Sequence, residues 1–411
     1  MIVSCDTPGL LPISQALKAM LNNILSLSDS ESLPLLEAYG RVLATDIISP
    51  IQVPPADNSA MDGYAMRAED LESSDTLELI GASMAGTPFT GEVVKGQCVR
   101  IMTGATVPKG ANAVVMQENT QVDQQHVRFL EQARRGSSIR LAGEDIKCGA
   151  RVLQKGLRLQ GAHLSLLASV GIAEVQVVRP ITVGLIATGD ELTHPGQPLA
   201  PGSIYESNRY ALYAMLSQLG AQVIDFGIVK DDKPSLRQAF EQADGQCDLV
   251  ISSGGVSVGD ADFVKDILDE MGQINFWKVA IKPGKPFAFG KLNKAWFCGL
   301  PGNPVSSYVT FQQLVLPVLQ KLAGEQATEA EYFVAQAATT IRKHPGRTDY
   351  QRGNYYRDEA GTLWVKPTGK QGSGIMSSIA HANCYIVLAQ DDGDIALGQN
   401  VKIQPLNAMV S

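Results

Sequence analysis

The sequence has no CxxC pair: its six cysteines (Cys5, Cys98, Cys148, Cys247, Cys298 and Cys384) stand far apart. Its five histidines are equally scattered. Zinc needs clustered ligands at short spacing, so the pattern leaves buried or incidental thiols as the plain reading. An excess of basic charge is also missing. With 34 Lys+Arg against 42 Asp+Glu, the net charge is −8, which offers nucleic acid no overall field. No apolar run is long enough to span a bilayer. The first stretch, MIVSCDTPGLLPISQAL, has neither a charged leader nor a small-residue cleavage site. These absences predict a cytoplasmic protein with no nucleic-acid or membrane partner.

What is present fits a multi-domain globular chain. It is 45% hydrophobic and 18% charged, and at 411 residues too long for one core. Changes of texture divide it. Within 1–45, Ile13, Leu17, Leu21, Ile24 and Leu25 recur at helical spacing and predict a helix over 13–26. Residues 46–146 show short apolar runs between Gly, Pro and Asn, which predicts a β-rich domain. A return segment, 147–179, carries a helical stretch over 159–171 that ends at Gly171. Residues 180–326 alternate strand and helix, and 327–411 return to strands such as NCYIVLA and NVKIQPL, a small barrel or sandwich. The predicted class is therefore multi-domain α/β and β. Because ITVGLIA, AQVIDFGIV and CDLVIS are apolar throughout, the α/β part should hold a mostly parallel sheet covered on both faces.

Ligands of open parallel sheets collect at the carboxyl ends of the strands. Here those ends carry Thr188-Gly189-Asp190-Glu191, then Asp231-Asp232, then SSGGVSVGDAD, then Pro301-Gly302-Asn303-Pro304. In the third, Gly254, Gly255, Ser257 and Gly259 read as a backbone cradle for phosphate, yet Asp260 and Asp262 follow at once. An Asp opening a helix is commonly a cap. Hard carboxylates beside a phosphate cradle also suit Mg2+, which links the two. The opposite sign comes from FWKVAIKPGKPFAFGKLNKAWF, which carries five lysines, Lys278 among them; Lys282 and Lys285 flank a stiff Pro283-Gly284 turn and predict an anion site there. A second polar cluster, DNSAMDGYA, holds Asp57, Asn58, Ser59 and Asp62. RIMTGATVP and AGEDI have the same flavour and could border one cleft with it.

Taken in order, DNSAMDGYA, RIMTGATVP, GEDI, ATGDEL, SSGGVSVGDADF, AIKPGKPFAFG and GLPGNPVSS resemble the MoeA family. This is the family of molybdopterin molybdenumtransferases to which the gephyrin E domain also belongs. The resemblance spans essentially the whole chain. It implies a MogA-like α/β domain, a homodimer, and substrates molybdate and adenylylated molybdopterin, with Mg2+ assisting AMP release. It further implies Asp62, Thr103, Asp145, Glu191 and Asp262 around the reacting groups, and Glu191, Asp231 and Asp262 as metal ligands. By the same resemblance Lys278, Lys282 and Lys285 would hold molybdate or phosphates, and Ser373 in QGSGIMSS would reach the site from a partner subunit. A MogA-like adenylyltransferase and recipient molybdoenzymes are the implied protein partners. Two other readings stand beside this one: the adenylyltransferase step itself, and a non-enzymatic carrier or scaffold.

Overall fold

The computed structural model describes residues 9–255, 263–326 and 330–406. The chain divides into two compact units, one of Met1–Glu31, Gly40–Ala44 and Val177–Ser411, the other of Ser32–Tyr39 and Thr45–Gln176. The five segments of the sequence thus fall into two bodies. Helix α1 spans only Ile13–Leu21, not 13–26. The apolar stripe continues past it, but the Asn23 carboxamide donates to Ala19 O at 2.8 Å, a side-chain competitor for the helix's own bonding. Ala16, Met20 and Ile24 still enter the core, whereas Leu25 is exposed.

The second unit is β-rich. Six strands, β1 (Gly63–Met66), β2 (Thr76–Ser83), β3 (Gln97–Ile101), β4 (Ala113–Met116), β5 (Thr120–Asp123) and β6 (His126–Phe129), form a sheet in the order β4-β1-β3-β2-β6-β5. Alternation places Tyr64, Met66, Cys98 and Val115 in one core and Ala65, Ile101 and Val114 in another. Gly63 sits between β3 and β4, where a Cβ would run into the backbone carbonyl of Val115. Gly63→Ala is therefore expected to destabilise this unit by about 2–4 kcal/mol. Chemical denaturation checks this, and an unchanged midpoint would mean that the strands can part there. Helix α2 (Gly161–Ser169) stops just before Gly171, which takes φ +79°.

In the first unit, strands β7 (Thr182–Thr188), β8 (Gln222–Val229), β9 (Leu249–Ser253), β10 (Gln273–Lys278), β12 (Pro286–Lys291) and β13 (Trp296–Leu300) form a sheet ordered β8-β7-β9-β13-β12-β10. The short β11 (Ile281–Lys282) lies outside it. The first four strands are parallel, but β12 and β10 run antiparallel to their neighbours. Chain length explains this edge. Helices α3 (Asn208–Gln218), α4 (Lys233–Gln246) and α5 (Phe263–Met271) carry the earlier crossovers. The stretches joining β10, β12 and β13 are too short for one, so the strands turn back.

Val183, Leu185, Leu249, Ile251, Cys298 and Leu300 face a core shared with α1, α3, α6 (Pro304–Thr310) and α7 (Leu316–Leu322). The intervening Ile186, Val250 and Phe297 face α4 and α5. A π turn at Phe311–Val315 joins α6 to α7, just ahead of Pro317, whose ring removes one helical donor.

Strands β14 (Phe333–Ala337), β15 (Thr348–Arg357), β16 (Leu363–Pro367), β17 (Cys384–Leu388) and β18 (Asn400–Pro405) complete the first unit. Their order is β15-β16-β14-β18-β17, and β17 also pairs β15, closing a five-stranded barrel. Strand β11 lies parallel beside β15, with Lys282 opposite Asp349. That pairing brings the lysine segment against the barrel.

Candidate functional site

Because β8, β7, β9 and β13 are parallel neighbours, their carboxyl ends open on one rim. At the end of β9, Gly254 has φ +96° and donates its N–H to Leu300 O at 3.1 Å. A Cβ there would lie 2.5 Å from the Thr188 carbonyl oxygen. Gly255, at φ +66°, is likewise closed in by Val264 of α5. Thr188 Oγ1 is buried beside this turn without a hydrogen-bond partner, a group that calls for a ligand or water. Asn208 ties the rim together: its Nδ2 donates to Ser253 Oγ and to Gly302 O, both at 2.7 Å. Pro301, Gly302, Asn303 and Pro304 thus stand beside the glycine turn. Ser257, Gly259 and Asp262, with Asp260, lie outside the described residues.

The acids of this rim differ in state. Asp232 accepts from Ser235 N–H at 2.8 Å and caps α4, which holds its carboxyl below the usual range. Asp231 behaves in the opposite sense. Burial pushes its pKa up, and the neighbouring charges of Asp190, Glu191 and Asp232 push further. The Glu191 carboxylate folds back over Gly189, where a Cβ would meet it at 2.7 Å. Oxygen donors that repel one another fit a hard divalent cation. Among the described residues, no three His, Cys, Asp or Glu side chains converge closely enough to hold one alone. Mg2+ characteristically takes one or two carboxylates and fills its shell with phosphate oxygens and water, so Glu191 and Asp231 fit it on those terms.

On the basic side, Lys278 and Lys285 are exposed. The Lys282–Pro283 bond is cis, and Gly284 at φ +109° packs so tightly on α6 that a Cβ would strike Thr310 Oγ1. Lys282 is no solitary surface cation: its Nζ stands 2.9 Å from Asp349 Oδ2. Ser373 is also held within its own chain, its carbonyl accepting from Val305 N–H at 3.0 Å. Its loop rests on Arg352, fully buried, which donates to Ser378 Oγ at 3.0 Å and Gly372 O at 3.3 Å. Asn208, Asp349 and Arg352 escaped the sequence reading. Only Asn208 carried a signal, as the first residue of a helix following the rim.

Asp62, Thr103 and Asp145 belong to the second unit. There the three strings meet. Asp62 Oδ1 accepts from Thr103 N–H and Oγ1, each at 2.7 Å, and these bonds hold its carboxyl below the usual range. Asp57 Oδ1 accepts from Ala142 N–H at 2.8 Å, and Ser59 N–H donates to Ala105 O at 3.0 Å. Asp145 and Thr103 are exposed. Asn58 Oδ1 is buried without a partner. Burial pushes the thiols of Cys98 and Cys384 up to about 12 and that of Cys247 up to about 11, which keeps these three protonated.

Comparison with known proteins accords with this geometry. Residues 11–171 match the MoeA N-terminal region (domain I and II), 184–321 the probable molybdopterin binding domain, and 334–406 the MoeA C-terminal region (domain IV). A molybdopterin molybdenumtransferase of Haemophilus influenzae is 49% identical over 403 residues, covering 98% of this chain and 100% of that protein. Its counterpart in Nostoc sp. is 37% identical over 391 residues, covering 93% and 90%. The crystal structure of the molybdopterin biosynthesis MoeA protein from Pyrococcus horikoshii OT3 superposes with a TM-score of 0.85 at 32% identity, covering 96% of this chain and 100% of that one. Motifs, fold and relatives agree, and the chain belongs to the MoeA family of molybdopterin molybdenumtransferases.

Proposed function

We propose that the protein inserts molybdenum from molybdate into adenylylated molybdopterin, with Mg2+-dependent release of AMP, giving molybdenum cofactor. The observation that carries this reading is the rim, where a glycine cradle, an acid group short of positive charge and a lysine turn gather at one end of the sheet. The turn at Gly254 and Gly255 holds the phosphate side of the pterin, with Gly255 offering the amide because that of Gly254 already donates to Leu300 O. Ser257 and Gly259 belong to the same reading, as do Pro301, Gly302, Asn303 and Pro304 beside the turn. Lys278, Lys282 and Lys285 hold molybdate or ligand phosphates, and Ser373 adds a polar contact. Glu191 and Asp231, with Asp262, would hold Mg2+, which when bound neutralises charge on the phosphoanhydride. In the second unit, Asp62, Thr103 and Asp145 are the polar residues to which this reading gives a catalytic part. The phosphoanhydride is cleaved by an oxygen nucleophile, from molybdate or water, held in line with AMP as leaving group.

In this reading the protein works as a homodimer in the cytoplasm. It receives its substrate from a MogA-like adenylyltransferase and passes its product to molybdoenzymes. No described helix is long and apolar enough to cross a membrane. The expected result is AMP release from adenylylated molybdopterin that requires both Mg2+ and molybdate. Synthesis of that compound from molybdopterin and ATP would instead place the protein one step upstream. Tight binding with no turnover would make it a carrier.

A further inference from the structure

Asp349 is 2% exposed at the start of β15. A carboxylate so buried needs a counterion, and among the described residues Lys282 is its one ion-pair partner, at 2.9 Å. The strand register that sets Ile281 opposite Thr348 and Lys282 opposite Asp349 imposes the pairing. A second bond fixes the acceptor. Gln351 Nε2 donates to the same Oδ2 at 3.1 Å and to Arg342 O at 2.8 Å. The Lys282 side chain remains 38% exposed, so its ammonium is held at the surface with donors to spare. A lysine left free would lose rotamer freedom on meeting a ligand; one already held loses less.

We propose that Asp349 is a positioning residue for oxyanion binding. It takes one Lys282 N–H and fixes the ammonium so that the remaining donors meet a tetrahedral oxyanion such as molybdate. This rests on the molybdate-using reading given above. It also divides labour within the segment. Asp349 neutralises the charge of Lys282, so attraction of the anion falls to Lys278 and Lys285, which have no ion pair among the described residues.

The test uses the full chain, with molybdate binding followed by calorimetry and AMP release followed at varied molybdate. Asp349→Asn keeps the shape and loses the charge. Its Kd and KM for molybdate should rise about tenfold. Its kcat at saturating molybdate and its KM for adenylylated molybdopterin should stay within about twofold. Asp349→Glu should recover most of the loss. Because Asp349 acts through Lys282, the double variant K282Q/D349N should bind molybdate no more weakly than K282Q. Removing both charges also leaves no unpaired ion, so the double variant serves if the single one melts early. Parent-like molybdate binding by Asp349→Asn, or losses that add in full in the double variant, would overturn the proposal alone. A parent protein that neither binds molybdate nor releases AMP would overturn the functional reading and this proposal with it.

Discussion

Gly254→Ala should lower affinity for the molybdopterin nucleotide at least about 100-fold, because an ångström of displacement in a positioned site is enough for such a loss. The added methyl meets two obstacles at once. At φ +96° a side chain is strained, and the Cβ would sit 2.5 Å from the Thr188 carbonyl of β7. That carbonyl cannot swing aside as a flexible side chain could, since β7 lies between β8 and β9 in the parallel sheet. Together the strain and crowding should lower stability by about 2–4 kcal/mol. Gly202→Ala is the control: φ is +87° there, with nothing within 4 Å of the new Cβ, so it carries the backbone strain without the collision. Equilibrium binding and chemical denaturation of both variants separate the two effects. Parent-like affinity in Gly254→Ala would remove the glycine turn from the site.

Asp231→Asn is expected to cut turnover by about 100-fold or more while making the unliganded protein more stable at neutral pH. Burial and the charges of Asp190, Glu191 and Asp232 raise the Asp231 pKa in the fold. Folding therefore favours its protonated form. The stability tied to that proton is complete below the ordinary carboxylate pKa and is lost as pH rises through the raised one. At pH 7 ionised Asp231 opposes folding, and asparagine removes the opposition. Thermal melts from pH 4 to 8 should show the variant above its parent at neutral pH, with the gap closing on acidification. Added Mg2+ should raise the melting temperature of the parent more than that of the variant. A variant that melts below its parent at pH 7 would contradict this account of the rim.

How much of this could be read from sequence depended on the range of the interactions. The glycine turn, the acids after β7 and β8, and the PGNP turn are local strings, and the strand pattern alone places them at one rim. The parallel strands announced themselves because both faces are covered. The antiparallel edge of β12 and β10 did not, since both directions bury the same residues and only the short connections decide. Helix α1 came out shorter than its stripe because two asparagines interrupt a pattern that apolar spacing cannot see. Asp349 was illegible for a different reason: its meaning lies in a partner 67 residues away. Nor does DYQRGNYY, an ordinary polar-looking strand, reveal that Arg352 is fully buried.

The interleaving of the two units carries a consequence for synthesis. Met20 and Ile24 share a core with Leu314, Val318 and Leu322, and Leu27 N–H donates to Leu322 O at 2.8 Å. At about 5–20 residues per second, the ribosome needs roughly 15–60 s to reach those partners after α1 has emerged. The β-rich unit is complete by Gln176 and can fold inside that interval. Early in its life, the chain is thus a finished insert hanging from a first unit still in pieces, with the apolar face of α1 open to chaperones until α7 is made.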